Sequence, residues 1–224
     1  MLEVSDIAFA YSRQRLLDGV SFSVGPGEMV ALTGANGVGK STLLRVIVGL
    51  LRPSAGTVLA DGVDVFRDPI RFRRSLGYLP EAAPVEGGFT VKGYLKFRAR
   101  LKGEQVRKIR HRVSEALAAC AIEDVAECPM ERLSNGQRRR VALADAMLLR
   151  PRFIIVDDLF AGVDPAARDA LGRTLVSISQ FASVIFSGHE LEEFGRFTQR
   201  FLVLKNGRVG EFSGAAAARA ELTA

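Results

Sequence analysis

The residues Gly34-Ala35-Asn36-Gly37-Val38-Gly39-Lys40-Ser41-Thr42 carry the clearest chemistry in the sequence. They fit the pattern G-x-x-x-x-G-K-[ST], between a strand-like apolar run and a helical pattern. Glycines let the backbone curl round a phosphate chain with successive N–H groups pointing inward. The start of the following helix adds the positive end of its dipole. Lys40 would reach the β- and γ-phosphates of a nucleoside triphosphate, and the Ser41 hydroxyl would offer Mg²⁺ a hard oxygen ligand. Downstream, Phe153-Ile154-Ile155-Val156-Asp157 reads as an apolar strand ending in an acid. Asp157 is suited to hold the same Mg²⁺ directly or through water.

The elements that must position these groups follow from hydrophobic periodicity. Strand-like runs at 30–33, 76–79, 153–157 and 184–187 alternate with helical patterns at 40–51, 135–149 and 165–180. Pro165 suits a first helical turn. This alternation implies an α/β fold, a wound sheet with crossover helices. The stretch from about Glu81 to Arg132 has another texture: helical patterns near 91–101 and 105–120, many charges and no strand. It reads as a helical subdomain inserted into an α/β core formed by about 1–80 and 133–224.

Composition narrows the function classes. The chain has 224 residues, 48% hydrophobic and 25% charged, the balance of an ordinary globular domain. Its net charge of +6 is spread over scattered clusters at Arg71, Arg73 and Arg74, at 98–112 and at Arg138–Arg140. No aromatic-interleaved basic stripe appears, so we expect a solvated basic surface, of a charge suited to anionic headgroups, and no nucleic-acid partner. Cys120 and Cys128 lack metal-ligand spacing and disulfide density, and read as structural residues in a reducing cytosol. With no apolar run of membrane-span length and no signal peptide, any membrane role is expected to come through a partner.

Leu133-Ser134-Asn135-Gly136-Gln137, about twenty residues before the acidic strand, selects among nucleotide-binding families. With the basic, Ala- and Leu-rich helix that follows, it resembles the signature of the ATP-binding cassette (ABC) ATPases. The resemblance covers nearly the whole chain. It implies a P-loop NTPase core with an antiparallel β subdomain and the inserted helical subdomain. It also implies ATP and Mg²⁺ as cofactors. Ser134, Asn135, Gly136 and Gln137 would meet the γ-phosphate held by a second cassette, in a homo- or heterodimer. Tyr11 would stack on adenine, although a lone tyrosine there could equally serve packing. Ala161-Gly162-Val163-Asp164 resembles the loop whose aspartate contacts that partner, and Ser187-Gly188-His189 resembles the switch in which the histidine reaches the γ-phosphate. His111, in a charged helix, reads as surface.

The departures from the pattern matter too. Asp158 stands where an active cassette usually has glutamate as general base, one methylene shorter. Glu81, after Tyr78-Leu79-Pro80, stands where the family has a glutamine that senses Mg²⁺ and water and links the site to the membrane partner; a carboxylate could itself ligate Mg²⁺. The run Tyr78-Leu79-Pro80-Glu81, followed by Phe89-Thr90-Val91, resembles single-domain cassettes serving export-type permeases. The resemblance thus implies an ATP-hydrolysing subunit on the cytoplasmic face of a membrane, powering export by a permease. Two alternatives stay open: a weakly hydrolysing ATP clamp or degenerate heterodimer half, motivated by Asp158, and a soluble cassette acting on ribosomes or DNA.

Overall fold

A computed structural model describes residues 1–12, 14–82 and 87–223. The chain begins with β1 (Leu2–Tyr11), β2 (Gln14–Val24) and β3 (Met29–Thr33), then α1 (Lys40–Ile47), β4 (Ala55–Ala60), β5 (Val63–Asp64), α2 (Pro69–Arg74) and β6 (Leu76–Leu79). Next come α3 (Val91–Leu101), α4 (Val106–Ala119), two short 3-10 turns, α5 (Asn135–Met147), β7 (Phe153–Val156) and α6 (Pro165–Ser179). The chain continues with β8 (Ser183–Ser187), α7 (Leu191–Phe194), β9 (Arg200–Lys205), β10 (Arg208–Ser213) and α8 (Ala215–Thr223).

Successive side chains of a strand point to opposite faces, and here each face has its own core. Val30, Leu32, Phe153, Ile155, Ile185, Leu202 and Leu204 join α1 and the N-terminal strands in one buried cluster. Their neighbours Ala31, Ile154, Val156, Val184, Phe186, Phe201 and Val203 join α3, α4, α5 and α6 in the other. Burial on both faces explains why β7 and β8 are continuous apolar runs. The large sheet has the order β10-β9-β3-β8-β7-β6, parallel from β9 to β6, with β10 antiparallel at the edge. The four strands read from the sequence are thus the adjacent set β3-β8-β7-β6. A second, antiparallel sheet, β2-β1-β4-β5, covers the α1 side.

Element ends differ from the sequence reading by a few residues. α1 stops at Ile47, with Gly49 at φ 73°, and β7 stops at Val156, which leaves Asp157 at the mouth of the sheet. Asp164 caps α6 by accepting from the Ala167 N–H at 3.1 Å, and Pro165 occupies its first turn. Between β6 and α5 lie α3 and α4, and α3 is tied to α5 by the Asp145 carboxylate, which accepts from Arg98 at 3.0 Å and pairs with Lys102, the C-cap of α3, at 3.0 Å. Cys120 is fully buried, and burial pushes its thiol up to about 12, so it is inert at neutral pH. His111 is exposed and sits 3.3 Å from Glu115.

The β6–α5 contact bears on the site, because β6 leads to Glu81 and α5 begins at the signature. A Cβ on Gly77 would come within 2.6 Å of the Ala146 carbonyl oxygen and of Ile154 Cδ1. Gly77→Ala should therefore cost about 1–3 kcal/mol through overpacking. Thermal denaturation should show a fall of roughly 2–4 °C per kcal/mol.

Candidate active site

In a parallel sheet, ligands bind outside the carboxyl ends of the strands, and the candidate residues gather there. Gly34 follows β3, Glu81 follows β6, Asp157 and Asp158 follow β7, and His189 follows β8. They surround a cleft of about 520 Å³ lined by Tyr11, Asn36, Gly37, Gly39, Lys40, Ser41, Thr42, Glu81, Asp157, Asp158 and His189, together with Gln14, Leu16, Ser187 and Gly188. Gly34, Ala35 and Val38 lie in the same loop without lining it.

The loop needs its glycines. Gly34 has φ 155° and Gly39 φ 114°, and a Cβ would lie 2.5 Å from the Leu204 carbonyl oxygen at the first and 2.9 Å from Leu16 Cγ at the second. Lys40 is buried across the loop and donates to the carbonyl oxygens of Gly34 (2.8 Å) and Ala35 (3.0 Å). An ammonium has three donors, so one is left to aim at a phosphate. Burial lowers the Lys40 pKa, and the charges of Asp158, Asp157 and Glu81 oppose that shift.

Asp157 is 1% exposed. Its Oδ1 accepts hydrogen bonds from the hydroxyls of Ser41 (2.9 Å) and Ser187 (3.0 Å). Its Oδ2 is buried with no protein partner. An unpaired buried carboxylate oxygen is costly and marks the place of an ion or water. Among the described residues no group of three or more His, Cys, Asp or Glu forms a metal cage. Mg²⁺ is characteristically held by one or two carboxylates with the remaining ligands from phosphates and water. Ser41 and Asp157 fit that role, with Glu81 exposed on the same cleft.

Ser187 has a second duty. Its hydroxyl accepts from the Asp158 N–H at 2.8 Å while it donates to Asp157. Asp158 sits in the left-handed region at φ 50°, which Asp tolerates better than most side chains. Its pKa is raised, first by burial and then by the charges of Glu190 and Glu81, against the lowering effect of His189 and Arg139. His189 is exposed at the rim, its N–H donating to Glu190 Oε2 at 3.1 Å. Tyr11 is 49% exposed, with Phe9 packed edge-on against it at 4.9 Å. One reading of Tyr11 does not exclude the other, since a ring can pack on one side and offer area on another.

Ser134, Asn135, Gly136 and Gln137 do not line this cleft. They start α5 with a capping box: Ser134 Oγ accepts from the Gln137 N–H at 3.2 Å, and Gln137 Oε1 accepts from the Ser134 N–H at 2.9 Å. The hydroxyl hydrogen of Ser134 and the N–H groups of Asn135 and Gly136 are not used by that box, an arrangement suited to an anion. Gly136 packs against α6, where a Cβ would lie 3.2 Å from Ala167 Cβ. Asn135 has ordinary helical backbone, so the glycine-like angles that Asn can adopt are not called on.

Sequence reasoning missed two residues. Ser187 was noted only beside His189, and nothing in its type marks it as the hydroxyl that joins the two aspartates. Arg139 was placed with Arg138 and Arg140 on a solvated basic surface, and this is corrected: Arg139 is 3% exposed. Its guanidinium donates to four carbonyl oxygens at the site. The only available signal is helical phase, because Arg139 lies three positions after the buried Gly136 and four before the buried Leu143.

Fold and site together define a P-loop nucleotide-binding ATPase cassette. The family described as ABC transporter matches residues 17–161. The chain belongs to that family. It is 33% identical over 208 residues to the Nod factor export ATP-binding protein I of Rhizobium etli, covering 92% of this chain and 66% of that protein. To the energy-coupling factor transporter ATP-binding protein EcfA1 of Streptococcus pyogenes it is 35% identical over 218 residues, covering 93% and 77%. The chain thus spans about two thirds to three quarters of the length of these relatives. Among solved structures, an ATP-binding subunit of an ABC transporter superposes with a TM-score of 0.86 at 30% identity, over 100% of both chains. CbiO1 of Clostridium perfringens, part of the ABC transporter complex cbiONQ, superposes at 0.87 with 28% identity, over 98% of this chain and 90% of its own.

The double role of Ser187 is testable. Ser187→Ala removes one donor to Asp157 and leaves the Asp158 N–H without its acceptor. Displacements of about 1 Å can cost roughly 10²-fold in rate. We expect ATP turnover to fall about 10-fold or more in steady-state assays, with ATP affinity in the absence of Mg²⁺ nearly unchanged.

Proposed function

We propose that this chain is the ATP-binding and ATP-hydrolysing subunit of an ABC transporter, dimerising on ATP to drive a membrane permease in the export direction. The observation that carries the reading is the convergence of Lys40, Ser41, Asp157, Asp158 and His189 on one cleft that Tyr11 also lines. The loop from Gly34 to Thr42 would wrap the phosphates, Lys40 would contact the β- and γ-phosphates, and Tyr11 would stack on adenine. Ser41 and Asp157 would hold Mg²⁺, which when bound offsets charge on the phosphates; Glu81 would join them or orient water. Asp158 would take the proton of the attacking water, and His189 would contact the γ-phosphate.

The placement of Ser134–Gln137 outside the cleft supports a site completed by a second cassette, whose α5 N-terminus would supply the missing donors. Among the described residues no helix is long and apolar enough to cross a membrane. Attachment to the cytoplasmic face would come through the permease, with contacts near Glu81 and the α3–α4 region. The export direction rests on the Tyr78-Leu79-Pro80-Glu81 run and on the likeness to the Nod factor export protein.

A base with a raised pKa sets the pH dependence. Asp158 must lose its proton to act, so the acid limb of the kcat profile should lie above the ordinary aspartate value of 3.8. Asp158→Asn should abolish that limb and lower kcat by about 10²–10⁴-fold, the usual worth of a general base. The stability effect has the opposite sign to that of a salt-bridged carboxylate. Between the ordinary and the raised pKa the folded state binds more protons than the unfolded, so the wild type loses stability as pH rises through that window. At pH 7 the melting temperature of Asp158→Asn should therefore equal or exceed that of the wild type, and the difference should shrink toward pH 3.

A second reading, a slow ATP clamp, is favoured by the short side chain of Asp158 and its left-handed backbone. Turnover of the dimer beside Asp158→Glu decides between them. A wild type at least as fast as the variant removes the clamp reading, and a much faster variant removes the efficient ATPase.

A further inference from the structure

We propose that Arg139 is a positioning residue for ATP cleavage, holding the loop of Glu81, the Asp157–Asp158 turn and the helix that starts at Ser134 in one fixed arrangement. The three arginines of this helix behave differently. Arg138 donates to the carbonyl oxygens of Leu133 (3.1 Å) and Glu131 (2.9 Å), and Arg140 to that of Ala121 (2.9 Å), all outside the cleft. Arg139 points inward. One of its terminal nitrogens, Nη1, donates to the carbonyl oxygens of Pro80 (2.8 Å) and Glu81 (2.9 Å) beyond β6. The other, Nη2, donates to those of Asp157 and Asp158, both at 2.5 Å, beyond β7.

The chemistry of this clamp is specific to a guanidinium. Its planar fork fixes two nitrogens at a set separation and angle, so the ends of two adjacent strands are tied to a single rigid group. Nε is buried without a partner. The side chain is therefore not placed so as to satisfy all five of its donors; its place is the one that meets the four carbonyls. Two of those carbonyls belong to the residues proposed to hold Mg²⁺ and to activate water. Asp158 has φ 50°, a backbone state that needs support from its surroundings to persist. The Arg139 bond to its carbonyl and the Ser187 bond to its N–H supply that support from both sides. Because the same guanidinium also holds Glu81, a displacement of that loop would be felt at Asp158 without passing through the nucleotide.

The inference rests on Asp158 as the base, and the experiment separates the two. ATP turnover per binding site and nucleotide affinity are measured for wild type, Arg139→Gln, Arg139→Lys and Asp158→Asn. Arg139→Gln should lower kcat 10-fold or more while the Kd for ATP without Mg²⁺ stays within about threefold. Arg139→Lys keeps the charge and loses the fork, so kcat should stay depressed. A general folding defect would instead lower the fraction of sites that bind ATP and leave kcat per site in place. If Arg139→Gln does not fold, the kcat-to-Kd split of Arg139→Lys decides alone. Turnover per binding site within twofold of wild type, in whichever variant folds, overturns the inference. An Asp158→Asn protein with undiminished turnover overturns the base assignment instead.

Discussion

The arrangement of the cleft depends on one buried carboxylate. Asp157 directly follows the apolar strand β7, and its Oδ1 is held by hydroxyls from the first turn of α1 and the end of β8. These contacts lock the phosphate loop, the β7 turn and the β8 end to each other. Removing a charge from water is expensive, so such a carboxylate persists only when its surroundings satisfy it. Here one oxygen is satisfied by the chain and the other is not, which makes the site complementary to a cation. The sheet must be continuous from β3 to β7 for this to work, and it is: β8 lies between them, parallel to both.

Around that centre the chain accepts unfavourable local terms. Lys40 and Arg139 are cations in buried positions, and burial lowers the pKa of each. Asp158 adopts a left-handed backbone and is harder to ionise than an exposed aspartate. Such terms collect at sites selected for chemistry rather than for stability. Here they offset one another in part, since the two cations face Asp157, Asp158 and Glu81. The carboxylates of Asp157, Asp158 and Glu81 thus oppose the burial effect at both Lys40 and Arg139.

Most of the site was legible because backbone function leaves strong marks in sequence. Gly34 and Gly39 are required where a Cβ has no room, and Lys40 and Ser41 follow in fixed register. Four of the five parallel strands showed as apolar runs, β9 being the one not read, and α5 and α6 showed as helical patterns, whose caps at Ser134 and Asp164 only the structure supplies. The N-terminal sheet was expected from family resemblance rather than located residue by residue. Its strand β1 pairs in irregular register, with shifts near Val4, Ile7 and Phe9 against β2 and between Ser5 and Ala8 against β4, which blurs the two-residue alternation. Arg139 was hidden for a different reason. A charged residue between two others looks like surface, and its burial is possible only because four carbonyls from distant segments converge on it. No local pattern records that convergence.

The central claim is that this is a magnesium–nucleotide site organised on Asp157. Calorimetric titration of ATP into the wild type and Asp157→Asn, each with Mg²⁺ and with a chelator, tests it most directly. The account predicts that Mg²⁺ tightens ATP binding by the wild type at least 10-fold and that Asp157→Asn binds ATP alike with or without the ion. An Asp157→Asn protein that keeps the full magnesium effect would contradict it.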